Sequence, residues 1–178
     1  MRDATELELR PARVDAGDGA VLYRAMAAEI AVLYDGLDHN GPDMPKAGPT
    51  ELSPPTGGFW VGYVDGEPVC CGGVKRLPDD GAAEIKRMWV IPRRRRQGIA
   101  RTVLAELERT AAAAGCRRTV LETGDRQPEA VALYRRVGYR PMPRFGVYRE
   151  EAGSLCFCRD LDAGDRPSPG PAGGHQTL

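Results

Sequence analysis

The chain has 178 residues, 42% of them apolar, which suits one soluble domain with a sizeable core. Lys plus Arg and Asp plus Glu number 25 each, so no global field draws the protein to nucleic acid or an anionic membrane, and any such attraction has to be local. No apolar run approaches the length of a bilayer-spanning helix and Met1 to Arg13 lacks the apolar stretch of a secretory signal, so the expected location is the cytoplasm.

Leu7-Glu-Leu-Arg-Pro11 alternates briefly and ends at a proline, as a first or edge strand does. From Asp18, which is placed to cap a helix, Val21, Leu22, Met26, Ile30, Leu33 and Tyr34 recur at helical spacing and predict a helix to about Tyr34. Residues 35–57 hold five prolines and little periodicity, which predicts an irregular loop that shapes or covers a substrate pocket. Gly58 to Val64 and Pro68 to Val74 are aromatic or β-branched and are joined by Asp65-Gly66, a hairpin signal. Ala83 to Ile91 follows as the third strand of a meander, the fourth overall.

Pro92 stops that strand because it lacks an N–H. Ile99, Val103, Leu104 and Leu107 then open a helix near Gly98 that Gly115 ends. The first N–H groups of a helix have no internal partner and the peptide dipoles add about half a positive charge there, so an anion is the natural occupant of the turn. Arg93 to Arg96 crowd the same turn. Arg118 to Glu122 reads as a strand parallel to the fourth, completing a βαβ unit with the anion site at the carboxyl end of its first strand. Glu129 to Val137 makes a short helix, Tyr139 opens another strand, Pro141 to Gly153 is a loop or loose strand, and Leu155 to Leu161 closes the set. The domain thus spans residues 1–162, and the Gly-, Pro- and Ser-rich tail over 163–178 is expected to be disordered.

Cysteines 70, 71, 116, 156 and 158 are odd in number and lack CxxC spacing, so they read as reduced, mostly core thiols. With only His39 and His175, and serines only at 53, 154 and 168 outside any GxSxG elbow, zinc centres, histidine triads and common hydrolase chemistry are poorly supplied. No metal is expected.

The order β-α-β-β-β-α-β-α-β-β resembles the GNAT superfamily of acyl-CoA-dependent N-acetyltransferases over roughly residues 5 to 161. Three features carry the resemblance. Arg95-Arg-Gln-Gly98-Ile-Ala100 fits the family's Q/R-x-x-G-x-G/A pyrophosphate turn. Ala130-Val-Ala-Leu-Tyr134-Arg-Arg-Val-Gly138-Tyr139 is similar to its A-I-x-L-Y-x-x-x-G-F/Y segment. Ala83-Glu84-Ile85 occupies the strand-four place where some branches carry a catalytic glutamate. The resemblance implies a mixed α/β single-domain fold, a central twisted mixed sheet of about seven strands flanked by helices. It implies acetyl-CoA as cosubstrate, with backbone groups of Met88 and Val90 bonding the pantetheine arm and the N–H groups of Arg96, Gln97, Gly98, Ile99, Ala100 and Arg101 holding the pyrophosphate beside Arg95. Where many members have Asn, this chain has Gln127, whose amide is set one methylene further out.

The chemistry narrows the catalytic candidates. An alkylammonium with pKa about 10.4 is unprotonated in only a few molecules per ten thousand at pH 7, a deficit of about 4.6 kcal/mol for the nucleophile. A nearby base is therefore useful. Glu84 is the candidate, directly or through water, against a plain strand charge paired with Lys86 or Arg87; Glu122 on the neighbouring strand is its rival. Tyr134 can donate a proton to the departing sulfur, or pack in the core beside Leu133. Trp89 and Phe145 are candidates to line an acceptor pocket, and Pro143 to Tyr148 to form a lip over it.

The expected activity is transfer of an acetyl group from acetyl-CoA to a primary amine of a small molecule or peptide, directly in a ternary complex, with a homodimer left open. The alternative is a non-catalytic acyl-CoA-binding module. A nucleic-acid reading of Arg93 to Arg96 predicts salt-sensitive binding, and the neutral net charge speaks against it.

Overall fold

The computed structural model describes residues 6–161 apart from 39–40, 43 and 79–80, so the tail expected over 163–178 lies outside the described residues. The elements follow the expected order: β1 (Glu8–Pro11), α1 (Gly17–Leu33), β2 (Gly57–Val64), β3 (Glu67–Arg76), β4 (Ala82–Val90), α2 (Ile99–Ala113), β5 (Arg118–Gly124), α3 (Pro128–Arg136), β6 (Arg140–Met142) and β7 (Ser154–Asp160). Short 3-10 segments occupy Pro92–Arg94 and Gly146–Glu150. The strands form one seven-stranded sheet in the order β1-β2-β3-β4-β5-β7-β6. Every neighbouring pair is antiparallel except β4 and β5, which are parallel because the α2 crossover separates them.

The core lies on both faces of the central strands, so Val69 to Val74 of β3 is buried without interruption rather than alternating. Two adjacent glycines let the layers close. A Cβ on Gly72 would sit 2.9 Å from Val103 and 3.0 Å from Leu107 of α2, whereas one on Gly73 would sit 3.0 Å from Leu52 and 3.1 Å from Phe59 on the opposite face. Leu52 belongs to the proline-rich loop, which therefore packs onto the sheet instead of merely passing over it. α2 is also clipped by charge: buried Glu108 accepts from Tyr139 Oη at 3.0 Å and from Arg159 at 2.6 Å, and Thr119 Oγ1 lies 2.7 Å from the same tyrosine oxygen. A buried carboxylate is tolerated because both of its oxygens are bonded.

One local expectation needs correction. α1 is preceded by Ala16 in an extended conformation with no side-chain cap, and Asp18 lies inside its first turn. There its charge complements the positive helix end while its carboxylate accepts from Tyr63 Oη at 2.8 Å, so a tertiary contact replaces the cap. The five cysteines are free thiols, four of them buried, and burial pushes Cys70 up to about 12. Among the described residues no helix is long and apolar enough to cross a membrane.

Candidate active site

The site grows from the parting of β4 and β5. Their pairing begins at Ala82 with Arg118 and ends at Ile85 with Leu121. Immediately beyond, the β3–β4 register shifts, with two β4 residues between Lys86 and Trp89 set against one β3 residue between Gly73 and Cys71, and Arg87 takes φ +55°. Such a bulge bends its strand, and here it accompanies a wedge between residues 86–90 of β4 and 122–124 of β5. Ile91 N–H bonds Val69 O at 2.9 Å, which makes Cys70 and Val90 a non-hydrogen-bonded pair. The peptide groups of Val90, and of Met88 two residues back, therefore face away from β3.

At the end of β4, the 3-10 turn is closed by Arg94 N–H to Ile91 O at 3.0 Å and Arg95 N–H to Pro92 O at 3.3 Å. Arg96 at φ +61° and Gly98 at φ +81° then bend the chain into α2. The first bond into that helix runs from Thr102 N–H to Gly98 O at 3.2 Å. The six N–H groups from Arg96 to Arg101 therefore find no backbone carbonyl among the described residues. Left-handed residues just ahead of a helix N-terminus with unpaired N–H groups are a common frame for anion binding. Nothing lies within 4 Å of where a Gly98 Cβ would sit, so the turn is uncrowded at that position.

Side chains of the turn are engaged elsewhere. Arg95 faces α1, donating from Nε to Val90 O at 3.0 Å and from one terminal nitrogen to both oxygens of Glu29 at 2.7 and 2.8 Å. Its contribution to the turn is thus to hold the turn against α1, and it also takes up the Val90 carbonyl. Arg93 pairs with Glu67, and Arg96 reaches Glu129 of α3 at 3.3 Å on the exposed surface. Gln97 bonds Arg93 O at 3.4 Å, Ile99 is buried among the core residues, and Arg101 is exposed. The row of backbone N–H groups is left unengaged by these bonds. Gln127 is the residue before α3 and its side chain makes no cap bond to the helix.

Glu84 sits within the paired part of β4, between Lys75 of β3 and Val120 of β5, and is 2% exposed. Its Oε1 accepts from Tyr148 Oη at 2.6 Å and lies 3.2 Å from Lys86 Nζ, while Oε2 lies 3.5 Å from Lys75 Nζ. Lys86 also donates to the Tyr148 oxygen. Burial pulls the Lys86 ammonium below its ordinary value, against the attraction of Glu84. Glu122 is placed differently. It stands one residue past the last β4–β5 pair, half-buried, with Oε1 accepting from Ser154 Oγ at 2.7 Å. Burial raises its pKa above the usual carboxylate range, opposed by the Ser154 bond and the Lys86 charge and assisted by Glu84 and Glu151.

Tyr134 projects from α3 into the core, its ring 5.8 Å from Tyr139 and 6.4 Å from Phe157. Burial, then the charge of Glu122, push its phenol above the ordinary tyrosine value, so it keeps its proton at neutral pH. Arg87 lies over the Tyr23 ring at 4.8 Å, Trp89 lies beneath Arg95 at 5.9 Å with its indole N–H buried and unbonded, and Phe145 meets Tyr148 edge-on at 5.2 Å. Sequence reasoning missed Glu29, Lys75 and the bond from Tyr148 to Glu84. The partners in that bond are 64 residues apart and no local pattern announces it.

A turn whose six N–H groups lack backbone partners thus stands at the mouth of a strand wedge, with Glu122 half-buried just past the last β4–β5 pair. The chain belongs to the GNAT family of acetyltransferases, whose family model matches residues 28–139. It is similar to an IAA acetyltransferase of Azospirillum brasilense, with 38% identity over 110 residues covering 62% of this chain and 72% of the relative. A structure described as an acyl-CoA N-acyltransferase from Klebsiella pneumoniae superposes with a TM-score of 0.73 at 27% identity, covering 89% of this chain and 99% of that one. A GNAT acetyltransferase from Elizabethkingia anophelis with acetyl-CoA bound shares the fold at a TM-score of 0.62 and 17% identity, covering 90% of this chain and 100% of that one. The family's chemistry is acyl transfer from acetyl-CoA.

Proposed function

We propose that the protein transfers the acetyl group of acetyl-CoA to a primary amine of a small molecule or peptide, directly in a ternary complex. The observation that carries this reading is the row of six N–H groups without backbone partners at the mouth of the β4–β5 wedge. Pyrophosphate suits that row of donors in charge, with Met88 and Val90 N–H groups facing the pantetheine arm along the open edge of β4. Acetyl-CoA supplies an activated thioester. The amine forms the new N–C bond as the C–S bond breaks. Glu122 takes the ammonium proton and releases it to water, then takes the second N–H proton from the tetrahedral adduct as the amide forms; Tyr134 gives its phenol proton to the departing thiolate and is reprotonated from water. Geometry favours Glu122 over Glu84 as the base, because the oxygens of Glu84 are engaged in the sealed part of the sheet whereas Glu122 stands at the wedge.

The test is thiol release from acetyl-CoA against a panel of tyramine, spermidine and the protein amino acids, with product mass as confirmation. Turnover of an amine is the expected result. Tyr134→Phe is expected to lower kcat by about ten- to a hundred-fold, within the range for loss of a general acid, with acetyl-CoA affinity retained. Full activity in that variant removes Tyr134 from the mechanism. Tight acetyl-CoA binding with no acceptor turned over leaves a binding module instead.

A further inference from the structure

We propose that Tyr148 and Glu84 form a latch that holds segment 143–153 over the acceptor side of the wedge, making Tyr148 a positioning residue for the transfer. The inference rests on the acetyltransferase reading above.

Between Pro143 and Ala152 every residue except Tyr148 is exposed or half-exposed, so this segment has one buried anchor. Val147, immediately before it, is 56% exposed. The other bonds inside the segment run from Tyr148 N–H to Phe145 O, Glu151 N–H to Tyr148 O and Ser154 N–H to Glu151 O, each 3.0 Å long, and from Arg144 to Ala152 O at 3.2 Å, while Gly153 O at its far end accepts from Asp125 N–H at 2.9 Å. None of them fastens the middle of the segment through a buried side chain. Tyr148 does that. Its hydroxyl donates to the buried Glu84 carboxylate and accepts from Lys86, and its ring lies 5.2 Å from the Lys86 ammonium and edge-on to Phe145. A hydrogen bond to a buried carboxyl group with lysines at 3.2 and 3.5 Å is among the stronger ones, because breaking it leaves a desolvated polar group short of a partner.

The segment ends at Ser154, whose hydroxyl holds Glu122 Oε1, while Gly153 O accepts from Asp125 N–H beyond the end of β5. Tyr148 thus fixes the middle of a strap whose far end orients the proposed base. Phe145 and Val147, displayed on the strap, are brought to the acceptor side by the same bond. Glu84 serves here as an anchor: it accepts a proton donor's hydrogen bond and need not exchange a proton during turnover.

The decisive experiment is hydrogen–deuterium exchange of the full chain, read at the amides of residues 145–154 and at the phosphate turn. Tyr148→Phe conserves ring volume and removes the hydroxyl. Strap amides are expected to exchange about ten- to a hundred-fold faster in this variant, the range for a lost hydrogen bond to a charged group, with the phosphate turn unchanged. Glu84→Gln is expected to keep slow exchange, since its amide carbonyl still accepts the tyrosine O–H, whereas Glu84→Ala loses it. With the best amine from the panel named above, Tyr148→Phe is expected to raise the amine KM about ten-fold while acetyl-CoA affinity stays constant, and Glu84→Gln to restore most of what Glu84→Ala loses. Wild-type exchange in Tyr148→Phe overturns the latch. So does a Glu84→Gln variant as inactive as Glu84→Ala whose pH–rate profile has lost its acid limb, because that is the behaviour of a base. If no amine is turned over, the reading as an enzyme fails, yet the exchange measurement still decides whether the latch exists.

Discussion

Gly98→Glu tests the phosphate turn most directly. Gly98 has φ +81° and open space where its Cβ would lie, so the new side chain meets no packed neighbour and puts a carboxylate on the turn itself. Two costs follow and they are separable. A side chain in the left-handed region costs about 1–2 kcal/mol of fold stability, which Gly98→Ala shares. A carboxylate about 5 Å from a bound phosphate charge repels it by roughly 3 kcal/mol at an effective dielectric constant near 20, and it also competes for the six N–H groups. Since each 1.4 kcal/mol is a factor of ten, acetyl-CoA affinity is expected to fall by at least about a hundred-fold. Calorimetric titration with acetyl-CoA at fixed ionic strength measures it, because salt screens the repulsion. Thermal unfolding of both variants gives the strain by itself. Undiminished binding in Gly98→Glu, or an equal loss in Gly98→Ala, refutes the assignment of the pyrophosphate to this turn.

Glu122→Gln is expected to lower kcat/KM by about a hundred-fold or more, as for loss of a general base, and to flatten the rise of kcat/KM with pH that ionisation of Glu122 produces. Its stability effect has the opposite sign. Because burial raises the Glu122 pKa in the folded state, that group's contribution is complete below its unfolded pKa and is lost as pH rises through the folded value. Glutamine removes that loss, so a thermal-unfolding series against pH should find the variant at least as stable as the wild type at pH 7 and less favoured in acid. Leu107→Ala, in a fully buried side chain of α2 packed over Gly72, is expected to cost about 2–5 kcal/mol in denaturant unfolding, and a loss under 1 kcal/mol contradicts the packing described.

What could be read from the sequence was what neighbouring residues encode. The Asp65-Gly66 turn, the stop at Pro92 and the apolar spacing from Ile99 to Leu107 each act over a few residues, and together they gave the element order and the anion turn. Contacts that close the site are long-range and depend on how the layers stack. Arg95 is part of the motif, yet its side chain is taken by Glu29, 66 positions earlier in the chain. Glu84 occupies the place a motif reserves for a base, and whether it is open there depends on Tyr148, in a segment whose composition alone suggested only a lip. The placement of β7 between β5 and β6 was likewise invisible, since hydrophobic alternation says that a strand exists and not which edge it joins.

The single parallel seam also says something about how the molecule is made. β1 to β4 form an antiparallel ribbon of successive strands, and β5, β7 and β6 form a second, so most pairings within each half close over short stretches of chain. The β4–β5 seam must wait for the α2 crossover to pack and, like the β1–β2 and β5–β7 pairings that also span a helix, it carries a larger entropic cost of loop closure than the hairpins. The wedge exists only where that seam begins and then stops. Neither half contains the wedge by itself, so the ability to hold the donor arises only when the two are joined at that seam, and ligand binding reports on chains in which they are.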